Sequence, residues 1–175
     1  MNDDVLKDYS IWNLINKFGI FNILFDFDSV SAYFLTIITA YFYIPRSDFF
    51  EIAGALSSSF IGADAALLGI VIAGFAIAVS MFDKKFLLFL DKFGIFEEMI
   101  FYFIFTTILL GFGLIASIIL SISIPFDHWV SKVLFPFSVL FTIWGILSVL
   151  LLLAVFLKDV AILKKDYSQL PDDAI

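Results

Sequence analysis

The 175-residue sequence contains no cysteine and a single histidine, His128. Without cysteine there is no disulfide exchange, no thiolate nucleophile and no thiolate metal site. One histidine cannot make an HExxH-type or other His-based metal cluster. The Asp residues never cluster in the DxxDG-type spacing that a lipid phosphotransferase needs. Bases are outnumbered, 10 against 17 acids, for a formal charge of −7. Bulk attraction to nucleic acid is therefore not expected. Charge is nearly absent from the long apolar runs, which argues against a coupled transporter built on a mid-membrane carboxylate. No residue set points to enzyme chemistry, so neither a catalytic centre, a metal nor a cofactor is expected.

What the chain has in abundance is apolar surface. It is 62% hydrophobic with 24 phenylalanines, and its mean hydropathy is +1.07. A soluble domain is about half apolar. The composition predicts an all-α integral membrane protein with four transmembrane helices, at about 29–44, 61–82, 98–124 and 133–157, forming a domain over 29–157. A cytosolic or interfacial arm over 1–28 precedes it, and a cytosolic tail over 158–175 follows. No cleavable signal peptide is visible in the acid-bearing first 18 residues.

The central stretch is 61–82, IGADAALLGIVIAGFAIAVSMF. Its small residues fall in two i, i+4 stripes, Ala65–Gly69–Ala73 and Ala66–Ile70–Gly74–Ala78. In lipid, small residues let helix backbones approach closely, and that packing drives association. Two readings stay open: the inner helix of an oligomer, or a packing helix inside one four-helix bundle.

Around it, 2–18 reads as an amphipathic helix, with Val5, Leu6, Tyr9, Trp12, Ile15 and Phe18 on one broad side, suited to the membrane surface. Ser29 is a good N-cap for the first span, although a start near Phe25 would carry Asp26 and Asp28 toward the membrane. Residues 45–60 form a linker, with Ser57–Ser59 breaking the pattern; it is either an interfacial helix or a re-entrant loop. Ser29, Tyr33 and Thr36 make a weakly polar stripe on the first span. Thr106, Gly113, Ser117 and Ser121 share a side of the third, and Ser138, Thr142, Gly145 and Ser148 share a side of the fourth. One internal echo stands out: 17–21 and 92–96 are both KFGIF. It reads as a repeated helix-stop device with Gly at C′, or as a trace of duplicated hairpins.

Loop charges set the orientation. With four spans, eight of the ten Lys and Arg residues fall on one side, leaving Arg46 and Lys132 on the other. The positive-inside rule then puts both termini in the cytosol, as in a multi-pass protein of a bacterial inner membrane.

Candidate site residues follow from that layout. Asp64, in the first turn of 61–82, is either a plain helix N-terminal acid or one member of a carboxylate ring favouring cations at the outer mouth of a pore. Asp64, Gly69, Ala73 and Ser80 are the pore-lining or packing candidates. Asp26 and Asp28 are candidate acids of the cytosolic mouth, or a solvated pair before the helix. Lys84, Lys85, Lys92, Lys158, Lys164 and Lys165 sit at cytosolic span ends, where they bind headgroups or contact an anionic ligand. His128, beside Trp129, reads as an interfacial residue.

The four compact spans, the stretch ADAALLGIVIAGFAIAVSMFDKKF at 63–86 and the amphipathic acidic N-terminus together resemble small bacterial anti-phage membrane effectors, in particular the Hailong membrane-effector family (Hailong protein A). The resemblance implies a tetrameric channel with an electronegative pore, held shut by DNA oligomers that a partner nucleotidyltransferase makes. It covers the layout of the chain rather than a diagnostic motif, and the cytosolic lysines are the obvious place for such a polyanion. Two functions follow as expectations. One is a homo-oligomeric pore lined mainly by 61–82 that depolarises the membrane when released. The other is a non-conducting membrane anchor that recruits a cytosolic partner.

Overall fold

The computed structural model describes residues 26–81, 94–126 and 128–167, together with Gly19 and Leu90. The amphipathic arm expected over 2–18 and the lysines at 84, 85 and 92 lie outside the described residues. The described residues form four helices: α1 (Phe27–Tyr43), α2 (Phe49–Met81), α3 (Ile95–Ser123) and α4 (His128–Tyr167). The described residues contain no strand. Three segments are long and apolar enough to cross a membrane: Phe49–Ile77, Ile95–Ser123 and Trp129–Ala154. α1 has 17 residues, or about 25 Å at 1.5 Å per residue, a little less than the ~30 Å hydrocarbon core.

α1 starts earlier than Ser29. Asp26 is its N-cap, and the Asp26 carboxylate accepts from the Phe27 N–H at 2.8 Å. This places Asp28 in the first turn, where an acid suits the helix dipole.

The larger departure is α2. The expected linker over 45–60 and the span over 61–82 are one continuous helix of 33 residues. The three serines do not interrupt it. Ser57 and Ser58 donate their hydroxyls to the Gly54 carbonyl, at 3.0 and 3.1 Å, and Ser59 donates to the Ala55 carbonyl at 3.0 Å. A hydroxyl bonded back to its own preceding turn fits inside a helix, so a serine run that looks like a loop in sequence is absorbed.

α4 is longer still, at 40 residues, and part of the expected tail (158–167) continues it as helix. It runs through Pro136, which lacks the N–H for the bond to the carbonyl one turn back and crowds that carbonyl. At 1.5 Å per residue, α4 is about 60 Å long, so it extends well past any bilayer core.

The two KFGIF glycines share a conformation. Gly19 has φ 79° and Gly94 φ 70°, the positive values among the described residues. Glycine is the residue that takes this left-handed region without a Cβ penalty. α3 begins on the residue after Gly94; residues 20–25, after Gly19, lie outside the described residues. The turn conformation at the glycine is repeated.

α4 is the hub. It packs against α1, α2 and α3, and α2 lies mainly against α3. Near the start of α2, Phe49 and Ala53 pack with Leu120, Phe135 and Val139, and the Phe49 and Phe135 rings meet edge-on at 5.3 Å. Toward the other end, Val71 packs with Met99, Phe103, Leu110, Val149 and Leu152. Between them, Ala32, Leu109 and Trp144 tie α1 to α3 and α4. α3 and α4 come close at two glycines: a Cβ at Gly145 would stand 2.6 Å from Leu110 Cδ2, and one at Gly113 would stand 3.2 Å from the Thr142 backbone nitrogen. The small-residue rule of membrane packing is therefore used most strictly between these two helices.

Candidate functional site

α4 carries Ser131, Ser138, Thr142 and Ser148, all buried, and α3 turns buried Thr106, Gly113 and Ser117 inward. The polar stripes read from spacing face protein. They form a column of hydrogen bonds along α4. The Ser117 and Ser138 hydroxyls lie 2.6 Å apart. One turn on, Thr142 Oγ1 donates to Asp64 Oδ2 at 2.9 Å. Further along, Ser148 Oγ donates to Asp28 Oδ2 at 2.8 Å. Three helices thus present polar groups to the hub, each through a different partner.

Asp64 is the centre of this column. Because α2 begins at Phe49, Asp64 is not in a first turn; it lies at the middle of the Phe49–Ile77 segment. Thr142 likewise lies at the middle of Trp129–Ala154. Asp64 is 0% exposed. The mouth position and the carboxylate ring expected for it are corrected accordingly: its side chain points into its own bundle, not toward an opening. The expected lack of mid-span charge is corrected with it, since an ionisable group does lie at mid-span. Space for it comes from Gly113 on α3. A Cβ there would meet Asp64 Oδ2 at 2.8 Å and the Thr142 backbone nitrogen at 3.2 Å, so any larger residue would displace the carboxyl or α4. Asp64 Oδ1 has no hydrogen-bond partner.

Asp28 is also inside the chain rather than solvated. Its Oδ1 accepts from the Ser29 N–H at 2.8 Å and from Ser29 Oγ at 3.4 Å, while Oδ2 takes the Ser148 hydroxyl. The mouth reading of Asp28 is corrected on that ground. Asp26 is exposed and engaged as the α1 cap.

Gly69, Ala73 and Ser80 are exposed on α2. A Cβ at Gly62, Gly69 or Gly74 would meet nothing within 4 Å, so packing among the described residues does not require these glycines. Ser80 donates to the Ile77 carbonyl at 2.8 Å. Lys158, Lys164 and Lys165 fall on the last turns of α4, and their side chains lie outside the described residues, as do Lys84, Lys85 and Lys92 altogether. The described residues hold no group of three metal-ligating side chains.

Sequence reasoning missed the meeting of Asp64, Thr142 and Gly113. Each was singled out separately, but Asp64 and Thr142 are 78 positions apart, and no local pattern joins them.

No family model, no curated protein and no solved structure matches the chain.

Proposed function

We propose that this chain is a homo-oligomeric membrane pore whose copies meet on the small-residue face of α2. The observation that carries the reading is that Gly62, Gly69 and Gly74 stand on an exposed helix face with open space where a side chain would be. Glycine in a membrane helix costs helix propensity, and a close helix–helix contact is what offsets that cost. None of the described residues makes that contact at these positions; in this reading a second copy supplies it. All four helices cross the bilayer, with both termini in the cytosol of a bacterial inner membrane. The resemblance to anti-phage membrane effectors adds the physiological role: a tetramer that depolarises the membrane once a DNA-oligomer ligand, made by a partner nucleotidyltransferase, is released.

One observation favours a second reading, a non-conducting anchor for a cytosolic partner. The bare face of α2 carries no charged side chain, and Asp64 is turned away from it. A pore bordered by this face would be apolar and gated by dewetting.

The test is planar-bilayer recording on reconstituted protein, beside size-exclusion of the same sample. Wild type is expected to assemble and to conduct. Gly69→Leu and Ala73→Leu are expected to give a folded, smaller species without current. A wild-type oligomer that never conducts favours the anchor, and unchanged assembly of both variants rules out α2 as the contact.

A further inference from the structure

We propose that Asp64, Thr142 and Gly113 form a proton-binding site in the middle of the membrane, complete within one chain. The inference does not depend on whether the protein conducts. An ionised carboxylate sealed away from water is costly unless it is paired and hydrogen-bonded, and ionisable groups at mid-membrane are functional-site candidates by default. Among the described side chains, no cation lies beside Asp64. On its own helix the nearest charged residue on the N-terminal side is Glu51, more than three turns away. On α3 the charged residues are Glu97 and Glu98 at the far end, four turns from Gly113. On α4 the nearest is Lys132, exposed and ten positions before Thr142. The phenol of Tyr102 is three turns from Gly113 along α3.

One neutral hydroxyl, Thr142, is thus the polar partner that the site offers, and it serves one oxygen. The neutral form fits this arrangement better than the ionised one: its carbonyl is Oδ2, accepting from Thr142, and its proton is on Oδ1, which has no partner, so one O–H is left unpaired but no charge is buried. That is the inventory of a protonated carboxyl, one donor and a remaining acceptor. A metal cation does not fit the same place, because hard cations ask for about six oxygen ligands, and the site brings one carboxyl and one hydroxyl. Gly113 is the element that makes the site. It lets the carboxyl lie against α3 within 2.8 Å of where a Cβ would be, a distance no other residue permits. Loss of the proton leaves a charge that Thr142 alone cannot offset, so exchange at Asp64 bears directly on how α2 holds to α3 and α4.

The experiment is infrared spectroscopy of the full chain reconstituted in lipid at neutral pH, in H2O and D2O. The expected result is a protonated-carboxyl C=O band amounting to one group per chain, absent from Asp64→Asn. In Thr142→Val the band should persist and move to higher frequency, because its carbonyl oxygen has lost its donor. This second variant locates the proton even if Asp64→Asn fails to fold. Replacing choline by sodium at constant ionic strength should leave the band unchanged. Absence of the band from wild type, its persistence in Asp64→Asn, an unmoved frequency in Thr142→Val, or its loss on adding sodium would each overturn the proposal; the last would assign the site to a cation.

Discussion

α4 and α2 are the two longest of the described helices, and they spend their small and polar residues in opposite ways. On α4, Ser138, Thr142, Gly145 and Ser148 are all buried against other helices. On α2, beyond Asp64, the glycines and most alanines are exposed, and Val71 is the residue that reaches full burial among the described side chains. The earlier half of α2 behaves like α4, with Phe49, Ala53, Ser57 and Asp64 buried at helical spacing. A stripe of small residues therefore marks a close contact in membrane helices without telling whether the partner is the same chain. The space beside each glycine distinguishes the two helices: Gly145 meets Leu110 of its own chain, and Gly69 meets none of the described residues.

Substitution at those two positions gives the sharpest contrast. Gly145→Leu drives side-chain atoms into Leu110, whose Cδ2 is already 2.6 Å from a bare Cβ position. Overpacking a tight contact costs about 1–3 kcal/mol and sometimes more. The expected outcome is a large fall in thermal stability in detergent, with loss of the monomer fold. A thermal midpoint equal to wild type would show that α3 and α4 are not held this closely.

The Asp64 node should tolerate one change and not another. Asp64→Asn keeps an acceptor for Thr142 and adds no charge, so stability should change by no more than about 1 kcal/mol, the worth of an ordinary hydrogen bond. Gly113→Ala, a small substitution but not an isosteric one, should cost more, because its Cβ would compete with Oδ2 for the same space. Denaturation of the two variants in parallel checks the order, and the reverse order would contradict the geometry of the node.

The smallest effect is expected at the outer rung of the column. Ser148→Ala removes one donor from Asp28, which keeps its two Ser29 contacts. Hydrogen bonds between membrane helices average about 0.6 kcal/mol, so the same denaturation measurement should find a change of that size. A loss several times larger would mean that Asp28 depends on α4 rather than on its own helix terminus.

Much of this arrangement could be read from sequence. The inward stripes on α3 and α4 follow from three- and four-residue spacing, and the two KFGIF glycines announce left-handed backbone. The rest was hidden for physical reasons. Ser57–Ser59 reads as a break because serine competes for backbone groups, yet each hydroxyl finds a carbonyl in its own helix. Losing that break shifted Asp64 from a helix end to a helix middle. Its partners, Thr142 and Gly113, sit on other helices, and long-range pairs leave no periodic trace. The role of α4 as hub was masked because the smallest residues cluster on α2.

The most direct test of the division between the two helices uses the absence of native cysteine. Single substitutions Ala73→Cys, on the bare face of α2, and Leu150→Cys, on the exposed side of α4, are oxidised in native membranes and resolved without reductant. Ala73→Cys should run as a disulfide-linked dimer in high yield and Leu150→Cys as monomer. Equal yields at both positions, or a dimer at Leu150→Cys alone, would contradict the assignment of α4 to the inside of the chain and α2 to the contact between chains.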